Sequence, residues 1–142
     1  MGVAGFVGAA GLGLGLVASV GLSDTLAAEA GVSGYQGAWL LEGRDCAEVY
    51  SSAGKGTSFK KPIDIFAPAF IVSGNRLRTP MASCRIKAVR PAGDRQVLVL
   101  DCANAVADQE VKVLMAPSED GSLRRYFNEE DKTGTTYQRC SP

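Results

Sequence analysis

Histidine is absent from all 142 residues of this chain. The commonest general base goes with it, and no Ser-His-Asp or Cys-His constellation can be assembled. Closely spaced cysteine pairs are missing too. The four cysteines stand at 46, 84, 102 and 140, separated by 38, 18 and 38 residues, and a zinc site built on C-x-x-C pairs is not expected. No D-x-D-x-D-G calcium loop occurs, and Glu129, Glu130 and Asp131 read as a solvated loop beside a turn. The stretch Ala53-Gly54-Lys55-Gly56-Thr57 has the shape of the end of a phosphate-binding loop. The glycine required at position 49 is Val49 and no helix follows, so a hairpin turn is the reading. The expectation is a protein that is not an enzyme, with no catalytic residues, no cofactor and no metal.

Positive charge is missing from the first thirty residues, and Met1 to Leu22 carry no charge of either sign. This apolar stretch ends in the small residues Ala28 and Ala30, an A-x-A-like cleavage site, so residues 1–30 are expected to be a secretory signal peptide. An uncleaved membrane anchor is the competing reading, since about 20 apolar residues span a bilayer. Against it stand seven glycines, at 2, 5, 8, 11, 13, 15 and 21, which weaken both hydrophobicity and helix propensity. Contact with a membrane is expected only if this segment stays uncleaved. Its removal leaves residues 31–142 as one domain with 13 acidic against 15 basic side chains. Nearly neutral charge argues against nucleic acid as a partner, because phosphate neutralisation demands a clear basic excess.

All four cysteines fall in that domain, and an even number in a short exported chain reads as a disulfide framework. Pro91-Ala92-Gly93-Asp94 is a turn signal between two strand-like flanks. A hairpin turning about Gly93 sets Cys84 opposite Cys102, where opposed Cα atoms lie about 4.5–5.5 Å apart, within disulfide reach. Cys84–Cys102 is therefore the preferred bond, which leaves Cys46 to pair with Cys140. Together these bonds place the chain in the periplasm or outside the cell.

Alternation of apolar and polar residues is clearest in Cys84-Arg85-Ile86-Lys87-Ala88. Strands are also expected at Ala38–Leu41, Ala47–Tyr50, Ala69–Val72, Arg76–Arg78, Val97–Cys102, Val111–Met115, Leu123–Phe127 and Thr136–Cys140. Ile63–Ile65, bracketed by Pro62 and Pro68, reads as an edge strand or a connection. Between these lie turns at 54–56, 73–75, 91–94, 118–121 and 131–134, and a weaker one at Asn104. No stretch of eleven residues shows a helical stripe. The fold class is all-β: a small antiparallel meander closed into a barrel or a sandwich, with the barrel preferred because closure removes exposed edges. Arg76, Arg78, Arg85, Lys87 and Arg90 would form a cationic face if neighbouring strands align, although an ordinary solvated sheet face explains them as well.

The only tryptophan, Trp39, stands in Gly37-Ala38-Trp39 at the start of the first barrel strand and is expected in the core at the barrel floor. This G-x-W placement, with the size and the run of short strands, resembles lipocalin-like barrels, including the small secreted barrels that inhibit bacterial metalloproteases. The resemblance implies that Trp39 packs beneath an arginine from a late strand, Arg125 or Arg139. It also implies that the segment before the first strand, Gly31, Val32, Ser33, Gly34, Tyr35 and Gln36, enters a protease cleft. The functional expectation is an exported binding module with a protein partner in the bacterial envelope, inhibition of a secreted enzyme being the form the resemblance implies. The alternatives are an anchored structural subunit of an envelope assembly and a lipocalin-like binder of a small ligand.

Overall fold

The computed structural model describes residues 31–52, 56–104 and 106–141. The signal peptide expected over 1–30, and all but Gly56 of the turn expected at 54–56, lie outside the described residues. Ten strands form among the described residues: β1 Gly37–Leu41, β2 Tyr50–Ser51, β3 Ser58–Phe59, β4 Ala69–Ser73, β5 Arg76–Arg78, β6 Ser83–Ala92, β7 Arg95–Ala103, β8 Asp108–Pro117, β9 Leu123–Tyr126 and β10 Thr135–Arg139. Eight of them close into a barrel in the order β1-β10-β9-β8-β7-β6-β5-β4, and β2 and β3 make a separate two-stranded ribbon. Every barrel neighbour is antiparallel, so the chain runs up and down, with one excursion between β1 and β4.

That excursion explains why β1 and β4 are apolar on both faces. Trp39 of β1 and Phe70 and Val72 of β4 point into the barrel core, while Ala38, Leu40, Ala69 and Ile71 point outward into a second cluster roofed by Val49, Tyr50 and Ala67. The Tyr50 hydroxyl donates to the main-chain oxygens of Trp39 (2.5 Å) and Phe70 (3.1 Å), tying the excursion to the barrel wall. Burial pushes this phenol's pKa well above its ordinary value.

Within the excursion two expectations are corrected. The strand expected at Ala47–Tyr50 is a single helical turn, α1 (Cys46–Val49), followed by β2. Asp45 caps it by accepting the Ala47 N–H at 2.9 Å, and the turn carries both Cys46 and Val49 to the outer cluster. Of the two readings of Ile63–Ile65, the connection is right: no strand forms there.

Two disulfides staple these layers, Cys46–Cys140 in the outer cluster and Cys84–Cys102 in the barrel wall. The second pairing arises through a detail absent from the sequence reading. The hairpin loop is the two residues Gly93 and Asp94, with Gly93 at φ +68°, so Ala92 pairs with Arg95 and Val89 with Leu98. Continued unbroken, that register would set Cys84 opposite Ala103. A β-bulge at Lys87 moves the register by one, so Ile86 pairs with Leu100 and Cys84 with Cys102. The bulge also lets both Ile86 and Val89 face the core, while Arg90 stays outside.

The five basic residues on β5 and β6 do share a neighbourhood, with Arg76 opposite Arg85. Asp101 lies 4.0 Å from Arg85 and Glu110 lies 2.9 Å from Lys87, so this is a charge-mixed, solvated sheet face.

Candidate functional site

The up-and-down topology gives the barrel two unlike ends. One holds the start of β1 and the β4–β5, β6–β7 and β8–β9 turns. It is closed by the segment expected to enter a protease cleft. Val32 and Tyr35 are buried in the barrel core, and Gly31 packs so tightly that a Cβ there would sit 2.9 Å from Cβ of Val89. The Tyr35 hydroxyl donates to Oε1 of Gln96 at 2.6 Å, and Trp39 Nε1 donates to the Tyr35 carbonyl at 2.8 Å. Burial raises the Tyr35 pKa to about 12. Gln36 brackets Gly74, its amide donating to the Gly74 carbonyl and accepting the Gly74 N–H, both at 2.8 Å. Only Ser33 and Gly34 of this segment are exposed.

Arg139 lies against the Trp39 ring, its guanidinium carbon 4.5 Å from the ring centroid, and donates to the Gln36 carbonyl. Gly37 makes room for it: a Cβ there would meet Arg139 Nη1 at 2.9 Å, and φ of +121° suits glycine. Arg125, the other late-strand arginine, is elsewhere, at the mouth of a cleft in the opposite end.

That opposite end is open. A cleft of about 230 Å³ enters it, walled by Phe70, Leu77, Leu100, Val111, Val113 and the Cys84–Cys102 bridge. Four connections leave the strands on this side of the barrel, β1 to β4, β5–β6, β7–β8 and β9–β10, and the last folds back along the outer wall, where Glu129 shares a pocket with Gly93, Asp94 and Arg95. All the exposed large apolar side chains among the described residues belong to these four connections: Ile63 (42%), Ile65 (47%), Phe66 (83%), Met81 (62%), Val106 (91%) and Phe127 (93%). The closed end has none, its turns carrying residues such as Asn75, Asp94 and Glu119.

The rim is built rather than loose. Asp64 Oδ1 accepts the Phe66 N–H at 3.0 Å, Thr79 Oγ1 accepts that of Met81 at 3.2 Å, and Asn104 Oδ1 accepts that of Val106 at 2.8 Å. In each turn a side chain caps the N–H two residues on, and the residue so held is the exposed apolar one. Phe127 is fixed by a different device: Asp131 accepts the N–H groups of Phe127 (3.0 Å), Thr133 (3.1 Å) and Gly134 (3.0 Å). These bonds favour the carboxylate, led by that from Phe127, and lower the Asp131 pKa to about 2. Arg95 stacks on Tyr126 at 3.5 Å and donates to the Asn128 and Asp131 carbonyls, so the β9–β10 loop is also braced from the barrel wall.

Sequence reasoning missed this rim. Alternation places Phe127 at the end of a strand and Ile63–Ile65 in an edge strand or a connection; the signal for the rim is an apolar residue two places after Asp64, Thr79 or Asn104 in a turn. Among the described residues no group of three His, Cys, Asp or Glu could hold a metal ion, and no helix is long and apolar enough to cross a membrane. All four cysteines are bridged, the arrangement of an oxidising environment. No family model, curated protein or solved structure matches the chain.

Proposed function

We propose that this protein is an exported, non-enzymatic binding module of the periplasm or the exterior that holds a partner protein on the rim of its open end. One observation carries this reading: every exposed large apolar side chain among the described residues belongs to the connections at that end, and four of them follow or open hydrogen-bonded turns. Apolar surface held in order and left uncovered marks an interaction site, because exposing it costs free energy that burial against a partner recovers. An inhibitor acting through Gly31–Gln36 would have to draw Val32 and Tyr35 out of the core, which favours the rim over that segment.

The lipocalin-like reading has the apolar cleft in its favour, with Arg125 at its mouth to meet an anionic group. At about 230 Å³ the cleft falls below the roughly 300–1,000 Å³ of sites for drug-sized ligands, which favours a protein partner. A photo-cross-linking residue placed at Phe127 and, separately, at Glu119 in the closed-end turn tests the choice in envelope extract. Protein adducts formed at 127, lost on adding Phe66→Ser and Met81→Ser, are expected. Equal adducts from position 119, or none from 127 while a small apolar dye binds the cleft, would overturn the reading.

A further inference from the structure

β8 is paired with β7 along its length, from Met115 opposite Gln96 to Asp108 opposite Ala103. With β9 it is paired only from Leu114 to Pro117, because β9 ends at Tyr126. The half of β8 from Asp108 to Val113 is therefore a sheet edge at the open end of the barrel. Two hydrogen bonds fix which groups it presents. Ser118 bonds Ser122 on the β9 side, whereas Asn104 bonds Ala107 on the β7 side. Even-numbered residues of β8 thus turn their main-chain groups toward β9 and odd-numbered ones toward β7. The N–H and C=O groups of Asp108, Glu110 and Lys112 face outward from the edge, and among the described residues none has a main-chain partner there.

Exposed edges are usually guarded by charge, since they template further strands. This edge presents two acidic residues, Asp108 and Glu110, followed by a basic one, Lys112, and the change of sign between Glu110 and Lys112 selects one occupant. A strand laid antiparallel on it is best matched by a cation opposite Glu110 and an anion opposite Lys112, two residues apart. β8 itself has that pattern. We infer that a second copy of this chain adds its β8 to this edge, antiparallel, about a two-fold axis through Val111. Glu110 of each copy then stands opposite Lys112 of the other, both pairs joined by main-chain hydrogen bonds, and the two Val111 side chains meet between them on the inner face. Shifting the axis to Lys112 sets two lysines face to face with no compensating pair, and shifting it to Glu110 opposes two glutamates at the centre although Asp108 then meets Lys112, so the register about Val111 is the one with no like-charge pair. The inference goes beyond the rim reading: it rests on one strand's main chain and charges, and its test reads oligomeric state rather than capture of a partner.

Sedimentation equilibrium of the full chain, as recovered with its disulfides formed, at up to about 0.5 mM registers even a Kd of about 1 mM. A concentration-dependent dimer is expected for the wild type. Glu110→Lys and Lys112→Glu, each alone, oppose like charges and should weaken it at least tenfold. Lys112→Glu leaves the Lys87–Glu110 ion pair in place, so a loss common to both variants is not a loss of that bridge. Mixed in equal amounts, the two variants should form a heterodimer, since positions 110 and 112 are then both cationic in one copy and both anionic in the other, and the double variant E110K/K112E should dimerise like the wild type. In the dimer the Glu110 and Lys112 amides should gain protection from hydrogen exchange. A wild type that stays monomeric throughout, single variants that dimerise as well as it does, or variants that fail to associate on mixing would each overturn the inference.

Discussion

Removing the Cys46–Cys140 bridge, with both residues changed to alanine, is the perturbation whose size follows most directly from the fold. The bridge joins residues 94 apart, almost the whole described chain. In the chain-entropy model, a loop of that length restricts the unfolded ensemble by about 4.7 kcal/mol at 25 °C. The Cys84–Cys102 bridge closes a separation of only 18 residues, worth about 3 kcal/mol on the same model. Because small domains are stable by about 5–15 kcal/mol in all, the C46A/C140A protein should sit near the limit of folding. Urea unfolding measures the loss: with a slope of about 1.5 kcal/mol/M, the midpoint should fall by about 3 M. The slope should also rise, because the freed unfolded chain exposes more surface; C84A/C102A should change it far less. A midpoint shift below about 1 M with an unchanged slope would refute the reasoning, by showing that the long bridge does not restrict the unfolded chain.

Tyr50→Phe removes the hydroxyl shared by the Trp39 and Phe70 carbonyls while keeping the ring in the outer cluster; a loss of about 1–3 kcal/mol in urea unfolding is expected, and none if water replaces the bond freely. The Asp131 pKa is depressed by hydrogen bonds formed only in the folded chain, so its contribution is present in full above about pH 4 and is lost as the pH falls toward 2. In an NMR titration the Phe127 and Gly134 amide shifts should therefore move with a midpoint near pH 2; a midpoint near 4 would show that the carboxylate is not holding the rim loop.

Much of the all-β reading was legible because alternation survives wherever one face of a strand is wet. Cys84-Arg85-Ile86 announces a half-buried strand, and β6 is one. Ala47–Tyr50 misled for the opposite reason. A single helical turn is too short to display its period, and only the Asp45 cap separates it from a strand. The candidate site was less legible than the fold. Trp39 and an arginine partner were anticipated, and contact geometry selects Arg139; the segment 31–36 was expected to project, yet Tyr35 lies in the core.

By itself the sequence determined which segments extend, where the chain turns and that four cysteines would pair, since propensity, turn chemistry and redox chemistry act over a few residues at a time. Only the tertiary structure decided the rest. The Cys84–Cys102 pairing depends on a bulge at Lys87 that offsets the placement of the Gly93–Asp94 loop, and neither feature is implied by the other. Phe66, Met81, Val106 and Phe127 lie 15 to 25 residues apart along the chain and share one end because an up-and-down barrel sends alternate connections to the same side. Closure sets such neighbours through register and strand count, which are properties of the whole sheet, and no local run of residues encodes them.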